Sequence, residues 1–179
     1  IAGDTNPHAE KLVQDALYVE NVLLNNINGG QDQYASALGG FHSFDFRSNE
    51  VVVNNLSVQE ETVAAIEDRS VLCYSGESHI SGNVLDQIMA NYLARDPVTT
   101  NALREMKDVS YQIEQSLIRG DLNKFGESIQ TVYEIQKDLH PEVVPSSIDD
   151  ISNLARRKGA LGGRIAGAGG GGCLYFFCK

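Results

Sequence analysis

Residues 162–178 read Gly-Gly-Arg-Ile-Ala-Gly-Ala-Gly-Gly-Gly-Gly-Cys-Leu-Tyr-Phe-Phe-Cys, so that five of the six residues from Gly167 to Gly172 are glycines. The run from Cys173 to Phe177 consists of β-forming residues that need burial, which indicates a turn between two strands rather than a flexible linker. Glycine backbones adopt positive φ and approach ligands closely, and a series of amides without Cβ atoms can bind an anion. The stretch therefore predicts a β-hairpin whose turn lies near a phosphate.

Other interpretations of the glycine run are a nucleotide-binding motif or a plain turn. Gly167-x-Gly169-x-x-Gly172 has the spacing of a dinucleotide fingerprint, but that motif must open a helix and here a strand follows. A Walker A loop would need Lys and Ser or Thr after the glycines, and the sequence has neither there. A tight glycine turn with no ligand stays open, since isolated glycines often mark only turns.

The charge and cysteine content restrict the partners and the location. The chain has 179 residues and a formal net charge of −10, a length that fits one domain or parts of two. Nucleic acid and anionic membranes are not expected as partners, because there is no basic surface to release counterions. Cys73, Cys173 and Cys178 lack the spacing of a zinc site or a disulfide framework, so a reducing cytoplasm is the expected location. The chain opens on Ile1 rather than Met, which indicates a processed, truncated or partly represented protein.

Apolar periodicity predicts a largely helical chain with a few strands. Over residues 9–27 a four-three-four-four spacing predicts a helix with one core-facing stripe, formed by Leu12, Ala16, Val19, Leu23 and Ile27. Capping-box spacings predict helix starts at Ser57 and Ser147. Gly120 and Asp121 separate two long amphipathic helices as a C-terminal glycine and an N-cap aspartate. Further helices are predicted over residues 57–68, 82–93, 99–118, 121–139 and 147–159, a hairpin over 41–46 and 51–53, and a central strand over 70–74.

Two polar segments are candidate sites. In Gly30-Gln-Asp-Gln-Tyr34, Asp32 stands between two amides after a glycine turn, which can aim a carboxylate into a cleft or merely cap the following turn. Ser75-Gly-Glu-Ser-His-Ile-Ser-Gly82 joins a strand end to a helix start, where orphan amides and hydroxyls often meet a ligand. There the alternatives are simple N-capping by Ser78 or Ser81 and a solvated His79.

These motifs together resemble the GHMP kinases. Gly30-Gln-Asp-Gln-Tyr-Ala35 followed by Gly-Gly-Phe, the Ser75-Gly76 strand end, two long helices and Gly167-Ala-Gly-Gly-Gly-Gly172 occur in the order of that superfamily's C-terminal part. Within it the pattern is most similar to the D-glycero-D-manno-heptose 7-phosphate kinases, and the resemblance covers nearly the whole chain. The implied fold is α+β: a ferredoxin-like C-terminal GHMP kinase domain at residues 41–179, with helices packed on one face of an antiparallel sheet. Residues 1–40 are implied to be a helical remnant of the N-terminal kinase domain that carries the catalytic aspartate.

The resemblance also implies a function. It implies Mg²⁺-dependent transfer of a phosphoryl group from ATP to a sugar or sugar phosphate, in the heptose branch at the anomeric hydroxyl, with Asp32 as the base. One carboxylate, backbone amides and a metal ion suffice for this chemistry, which depends mainly on positioning and charge stabilisation. The alternatives are another small-molecule kinase of the galactokinase or mevalonate kinase type, or a non-catalytic relative that binds sugar or nucleotide. The implied substrate-binding residues are Gln31, Gln33, Tyr34, Ser75, Gly76, Ser78 and His79, and the phosphate-proximal residues are Gly167, Ala168, Gly169, Gly170 and Gly171.

The sequence departs from the family pattern in two places. The phosphate-cradling motif Pro-x-x-x-Gly-Leu-x-Ser-Ser-Ala does not occur before Asp32. The chain is therefore expected to be a C-terminal half that needs the N-terminal half as partner for ATP binding and turnover, with the Mg²⁺ ligands in that half. His79 replaces an arginine that is usual in the heptose branch, and histidine offers only a conditional charge, which favours a different or an unphosphorylated sugar.

Overall fold

The computed structural model describes residues 7–25, 29–48, 50–76, 81–167 and 169–179. The chain forms two compact units, residues 1–57 and 58–179. None of the helices in the described ranges is both long and apolar enough to cross a bilayer. The first unit contains α1 (Pro7–Tyr18), a π-helical turn (Val19–Leu23), α2 (Gln31–Leu38), β1 (His42–Phe46) and β2 (Val51–Asn55). The second contains α3 (Glu60–Arg69), β3 (Ser70–Tyr74), α4 (Ser81–Leu93), α5 (Pro97–Arg119), α6 (Leu122–Leu139), α7 (Ser146–Arg157), β4 (Ala160–Ile165) and β5 (Cys173–Cys178).

The first unit is a small assembly of helices with one hairpin. Strands β1 and β2 pair antiparallel, as the sequence predicted, with Phe44 opposite Val53. Tyr34 of α2 lies 5.7 Å from Phe44 and 5.9 Å from Phe46, measured between ring centroids, and so joins the helix to the hairpin. The compact units divide after Ser57, so the hairpin lies in the same unit as α1 and α2. The assignment of residues 1–40 to another domain of a kinase stays a prediction.

The helix predicted over residues 9–27 is present through Leu23, but it does not bury the predicted stripe. The buried residues of α1 are Ala9 and Val13, whereas Leu12 is 62% exposed and Leu23 is 61% exposed. Ile27 lies outside the described residues. The prediction of a core-facing stripe is therefore wrong for this chain, because periodicity shows which side chains share a face and not whether a partner covers that face.

The second unit is an antiparallel sheet covered by helices, and its class is the predicted ferredoxin-like α+β fold. The strand order is β3-β5-β4, and α6 and α7 pack against β4. Leu174 and Phe177 of β5 are fully buried. The prediction that β3 is central is wrong: among the described residues it pairs only with β5, and its Leu72 is 69% exposed. A uniformly apolar run indicates a strand without distinguishing the centre of a sheet from its edge.

Local signals predicted the end of α5 and the beginning of α6, whereas α5 begins at Pro97, two residues before the predicted start, with Asp96 as its N-cap. Asp121 caps α6 by accepting a hydrogen bond from the Lys124 amide at 3.0 Å, and Gly120 ends α5 in the left-handed conformation. The capping-box predictions at Ser57 and Ser147 are wrong, because α3 begins after an extended Gln59 and α7 after Pro145, neither with a side-chain cap. The apolar faces of the two long helices form a core with residues of α4 and of the loop after α6. Its buried members are Val84, Ile88, Ala102, Val109, Val132, Ile135, Leu139 and Val143.

A polar cluster joins α6 to α7 beside the sheet. Asp149 accepts hydrogen bonds from Lys137 Nζ at 2.7 Å and from the hydroxyl of the buried Tyr133 at 2.9 Å. The Lys137 Nζ also lies 4.9 Å from the centroid of the Tyr133 ring. These hydrogen bonds, that from Lys137 first, hold the pKa of the Asp149 carboxyl below its usual range. The cluster therefore stabilises the α6–α7 contact through a charged Asp149.

Replacing Asp149 with alanine is expected to lower the free energy of unfolding by about 1–2 kcal/mol at pH 7, because Lys137 and the buried Tyr133 hydroxyl both lose this acceptor. A depressed pKa in the folded state contributes stability above the unfolded-state pKa of about 4, and that stability disappears as the pH falls through the folded-state value. The difference in free energy of unfolding between variant and wild type should thus be constant from pH 7 to 5 and shrink below about pH 4. Urea unfolding followed by circular dichroism measures it. Asp150→Ala, an exposed neighbour on α7, is the control and should change stability by less than about 0.5 kcal/mol.

Candidate functional site

The glycine run forms the turn between β4 and β5, as the sequence predicted. Gly169, Gly170, Gly171 and Gly172 all have positive φ, from 81° to 154°. A Cβ atom on Gly169 would lie 2.7 Å from both the carbonyl oxygen and a methyl carbon of Val143, in the loop between α6 and α7. The Gly170 amide donates to the same Val143 carbonyl at 2.8 Å. The turn is therefore a packed element braced by the α6–α7 loop, which no sequence signal indicated.

The strand end at Ser75 lies beside this turn. The Ser75 amide donates to the Gly172 carbonyl at 2.8 Å, which extends the antiparallel pairing of Tyr74 with Cys173. Ser75 and Gly76 are thus brought to the glycine turn at one end of the sheet. Ser78, His79 and Ala168 lie outside the described residues.

Most amides of the turn have no acceptor among the described residues. Of the five glycines between Gly167 and Gly172, only Gly170 donates to a described backbone carbonyl. Gly167 is exposed, and a Cβ on Gly167 or on Gly172 would meet no atom within 4 Å. Turn amides that have no described acceptor can bind an anion, so this turn fits contact with a phosphate oxygen.

The Asp32 segment forms the first turn of α2 in the first unit. Gly30 precedes the helix as its N-cap, and the helix start has no side-chain cap, so the alternative that Asp32 caps the turn is wrong. Gln31 and Asp32 are exposed, whereas Gln33 and Tyr34 are half-buried. Within the described part of the chain, no hydrogen bond or ion pair engages the Asp32 carboxylate. The first turn of α2 therefore carries an exposed carboxylate that has no partner among the residues that the structure describes.

Glu20, which the sequence did not single out, holds Gln33. The Gln33 Nε2 donates to Glu20 Oε1 at 2.8 Å, across 13 residues of sequence. Glu20 lies in the π-helical turn after α1, and neither that turn nor its approach to α2 can be read from the spacing of apolar residues. The structure thus joins Gln33 and Tyr34 to their neighbours in the first unit, while Ser75, Gly76 and the glycine turn belong to the second.

No metal-binding cluster of side chains occurs in the described part of the chain. The described residues contain no group of three His, Cys, Asp or Glu side chains arranged to hold a metal ion. A single carboxylate such as Asp32 does not provide the several oxygen ligands that Mg²⁺ requires. The described residues therefore fit contact with a phosphate but do not form a magnesium site by themselves.

Known proteins resemble this chain over almost its whole length. It is 26% identical over 163 residues to D-glycero-alpha-D-manno-heptose 7-phosphate kinase of Campylobacter jejuni, covering 90% of this chain and 48% of the relative. It is 27% identical over 172 residues to the L-fucokinase/L-fucose-1-P guanylyltransferase of Bacteroides fragilis, covering 94% of this chain and 18% of the relative. The chain thus spans about half the length of the heptose kinase and less of the fucokinase.

The fold comparison agrees with the sequence comparison. A crystal structure of a D-glycero-D-manno-heptose 1-phosphate kinase from Bacteroides thetaiotaomicron superposes with a TM-score of 0.68 at 22% identity, over 96% of this chain and 45% of that chain. Residues 113–179, which include α6, α7 and the glycine hairpin, match the family model for the C-terminal region of GHMP kinases. As the motif resemblance predicted, this part of the chain is similar to the C-terminal region of GHMP kinases, and the fold is the one seen in a sugar kinase of that kind.

Proposed function

We propose that this chain is the C-terminal part of an ATP-dependent sugar kinase that phosphorylates the anomeric hydroxyl of a heptose or heptose phosphate. In the proposed reaction the sugar oxygen forms a bond to the γ-phosphorus of ATP, the bond from that phosphorus to the bridging oxygen breaks, and ADP leaves. The hydroxyl proton passes to the Asp32 carboxylate. The similarity to the Campylobacter jejuni heptose 7-phosphate kinase, over 90% of this chain, supports the sugar class.

The exposed carboxylate of Asp32, which has no partner among the described residues, is the observation that carries this proposal. A general base must reach the proton it removes, and an exposed carboxylate can be approached by a substrate hydroxyl. Asp32 is exposed at the start of α2 and caps nothing. The first turn of α2 fixes the backbone from which this carboxylate extends.

The glycine turn would contact the phosphates of ATP. The amides of Gly167, Gly171 and Gly172 have no described backbone acceptor and are suited to the charge that develops on phosphate oxygens. Bound Mg²⁺ would neutralise part of that charge, and its remaining ligands would come from outside the described residues. Ser75 and Gly76, tied to Gly172, would border the same pocket.

The remainder of the kinase is the proposed partner. The chain spans 48% of the heptose kinase, so the full enzyme would contain a second part of comparable length. The stripe that was predicted to face a core is exposed in this chain, with Leu12 at 62% and Leu23 at 61% exposure. Apolar faces of this kind mark interaction surfaces. We propose that the missing part packs on Leu12, Val19 and Leu23.

A kinase for a free sugar is the second candidate. The chain is also 27% identical over 172 residues to a protein named L-fucokinase, whose name refers to an unphosphorylated sugar. His79 stands where an arginine is usual in the heptose branch, and histidine binds a phosphate less firmly at neutral pH. Both features favour an acceptor without a phosphate group.

Substrate profiling tests the proposal. It uses the intact polypeptide, by which we mean this chain together with the proposed second part of the kinase. This polypeptide should phosphorylate a heptose, its 7-phosphate or L-fucose in a coupled ADP assay, whereas mevalonate should give no turnover. A strict need for the 7-phosphate would exclude the free-sugar candidate, and turnover of mevalonate alone would exclude the sugar class. The 179-residue chain alone should give no turnover, because it spans only about half of the relative.

A further inference from the structure

We infer that Val143 is a positioning residue for ATP, which holds the middle of the glycine turn so that the open ends of the turn are ordered before a phosphate group binds. The inference rests on the proposed function and names a residue outside the turn on which the affinity for ATP depends. All the residues that carry it belong to the second unit.

The middle of the glycine turn lies directly on the backbone of Val143. The Gly170 amide donates to the Val143 carbonyl at 2.8 Å. A Cβ atom on Gly169 would lie 2.7 Å from the Val143 carbonyl oxygen and 3.0 Å from its Cα, so position 169 has room only for glycine. Gly169 and Gly170 are both buried. This contact therefore fixes the turn at its centre.

The two ends of the turn face open space instead. Gly167 is exposed and Gly172 is half-buried, and a Cβ atom on either would meet no atom within 4 Å. Neither of these two amides donates to a described backbone carbonyl. A ligand can therefore approach the turn at its ends, whereas the Gly170 amide in the middle is bonded to Val143 and is not available to a ligand.

Val143 is itself held by the helical core. Its side chain is fully buried and belongs to the cluster that contains Val84 of α4 and Leu139 of α6. Its amide donates to the His140 carbonyl at 3.0 Å, in the turn that follows α6. A side chain packed on all sides and a backbone bonded at both its amide and its carbonyl leave Val143 little freedom to move. The glycine turn is thereby attached to the core of the second unit.

The attachment matters because a backbone rich in glycine has much conformational freedom to lose. Residues 167–172 contain five glycines, and glycine loses more freedom on ordering than any other residue. The remaining described backbone bonds lie at the base of the turn, from the Ala166 amide to Cys173 and from the Ser75 amide to Gly172. With a free middle, ATP would have to order the turn as it bound, which would weaken its binding. With Val143 in place, the turn is ordered when the protein folds.

Truncating Val143 in the intact polypeptide tests the inference. Val143→Ala should raise the KM for ATP about three- to tenfold, because the ligand must then order the turn, while the KM for the sugar changes less than about twofold. Val132→Ala is the matched control, since it makes the same truncation at a buried position of α6 in the same core. It should destabilise the fold similarly and leave both KM values within about twofold of the wild type. Circular dichroism at the assay temperature checks that both variants are folded.

Amide hydrogen exchange of the 179-residue chain measures the attachment without any ligand. The Gly170 amide should exchange about tenfold faster or more in Val143→Ala than in Val132→Ala. Gly169→Ala disturbs the same contact from the side of the turn, because its Cβ would overlap Val143. It should also raise the KM for ATP about three- to tenfold, and adding Val143→Ala should raise it less than about twofold further, since both changes break one contact.

An unchanged KM for ATP in Val143→Ala, or an equal rise in Val132→Ala, would overturn the inference, as would equal exchange of the Gly170 amide in the two variants. The failure of the proposed function would look different. If the intact polypeptide bound ATP but phosphorylated no sugar, the kinase proposal would fail, and dissociation constants for ATP would decide the role of Val143 in place of KM. If it bound no ATP, both would fail.

Discussion

Replacing Asp32 with asparagine in the intact polypeptide is expected to lower kcat by about 10²–10⁴-fold, the range typical of a lost general base. Asparagine keeps the shape of the side chain and can accept a hydrogen bond, but it cannot take up the hydroxyl proton. Dissociation constants for sugar and ATP should change only a few fold, because the loss acts on the transition state. Steady-state kinetics with calorimetry for both ligands measures the two effects separately.

The control for this variant is Asp15→Asn, which removes a carboxylate from α1 that pairs with Lys11 on the surface. It should leave kcat within about twofold of the wild type, because surface ion pairs contribute little. Circular dichroism should show both variants folded, since loss of a charge from the first turn of α2 costs at most about 1 kcal/mol. A kcat that Asp32→Asn lowers less than about tenfold would exclude Asp32 as the general base, whereas a wild type that binds both ligands without turnover would favour a non-catalytic binding protein.

The long helices could be predicted from the sequence because their signals are local. In α5 and α6 the apolar stripe, the terminal Gly120 and the capping Asp121 all lie within a few residues of the feature they determine. The glycine hairpin could be predicted from local sequence in the same way, because a run of glycines followed by β-forming residues indicates a turn that leads into a strand. Much of this part also matches the family region at residues 113–179.

The errors concern properties that depend on distant residues. Whether β3 is central or at an edge depends on which strands pair with it, and whether the α1 stripe is buried depends on a partner that covers it. The apolar composition of Val71 and Leu72 is the same in either case. Sequence patterns describe an element's own faces, and tertiary pairing decides their exposure.

The candidate site divides in the same way. The sequence alone was enough to name Asp32, Ser75 and the glycine turn as candidates. Glycines that allow an unusual backbone conformation, and a carboxylate within a short motif, are both visible in the sequence. Glu20 and Val143 could not be named in this way, since each acts through one contact with a distant segment. Nothing in the neighbouring sequence distinguishes Glu20 from the other acidic side chains on the surface.

Replacing Gly162 with alanine is expected to lower the free energy of unfolding of the second unit by about 3 kcal/mol or more, at the upper end for an overpacked core. Gly162 lies on β4 where α6 crosses the sheet. An added Cβ would overlap the carbonyl oxygen of Gly126 and approach the Gln130 amide to 2.8 Å, so that only backbone atoms could give way. Moving the helix away would also open the contact of α6 with β4 and β5. We expect a melting temperature lower by about 10 °C or more.

Thermal unfolding followed by circular dichroism at a helix-sensitive wavelength suits this test, because α5 and α6, the two longest helices described, lie in the second unit. Gly29→Ala is the matched control: its φ is not positive and its Cβ would meet no atom within 4 Å, so the melting temperature should stay within about 2 °C. If Gly162→Ala melted within about 2 °C of the wild type as well, α6 could not lie as close to β4 as the structure has it. The glycine turn would then lose the support that α6 and the following loop give it through Val143. The proposed phosphate contact therefore also depends on the close approach of Gly126 on α6 to Gly162 on β4.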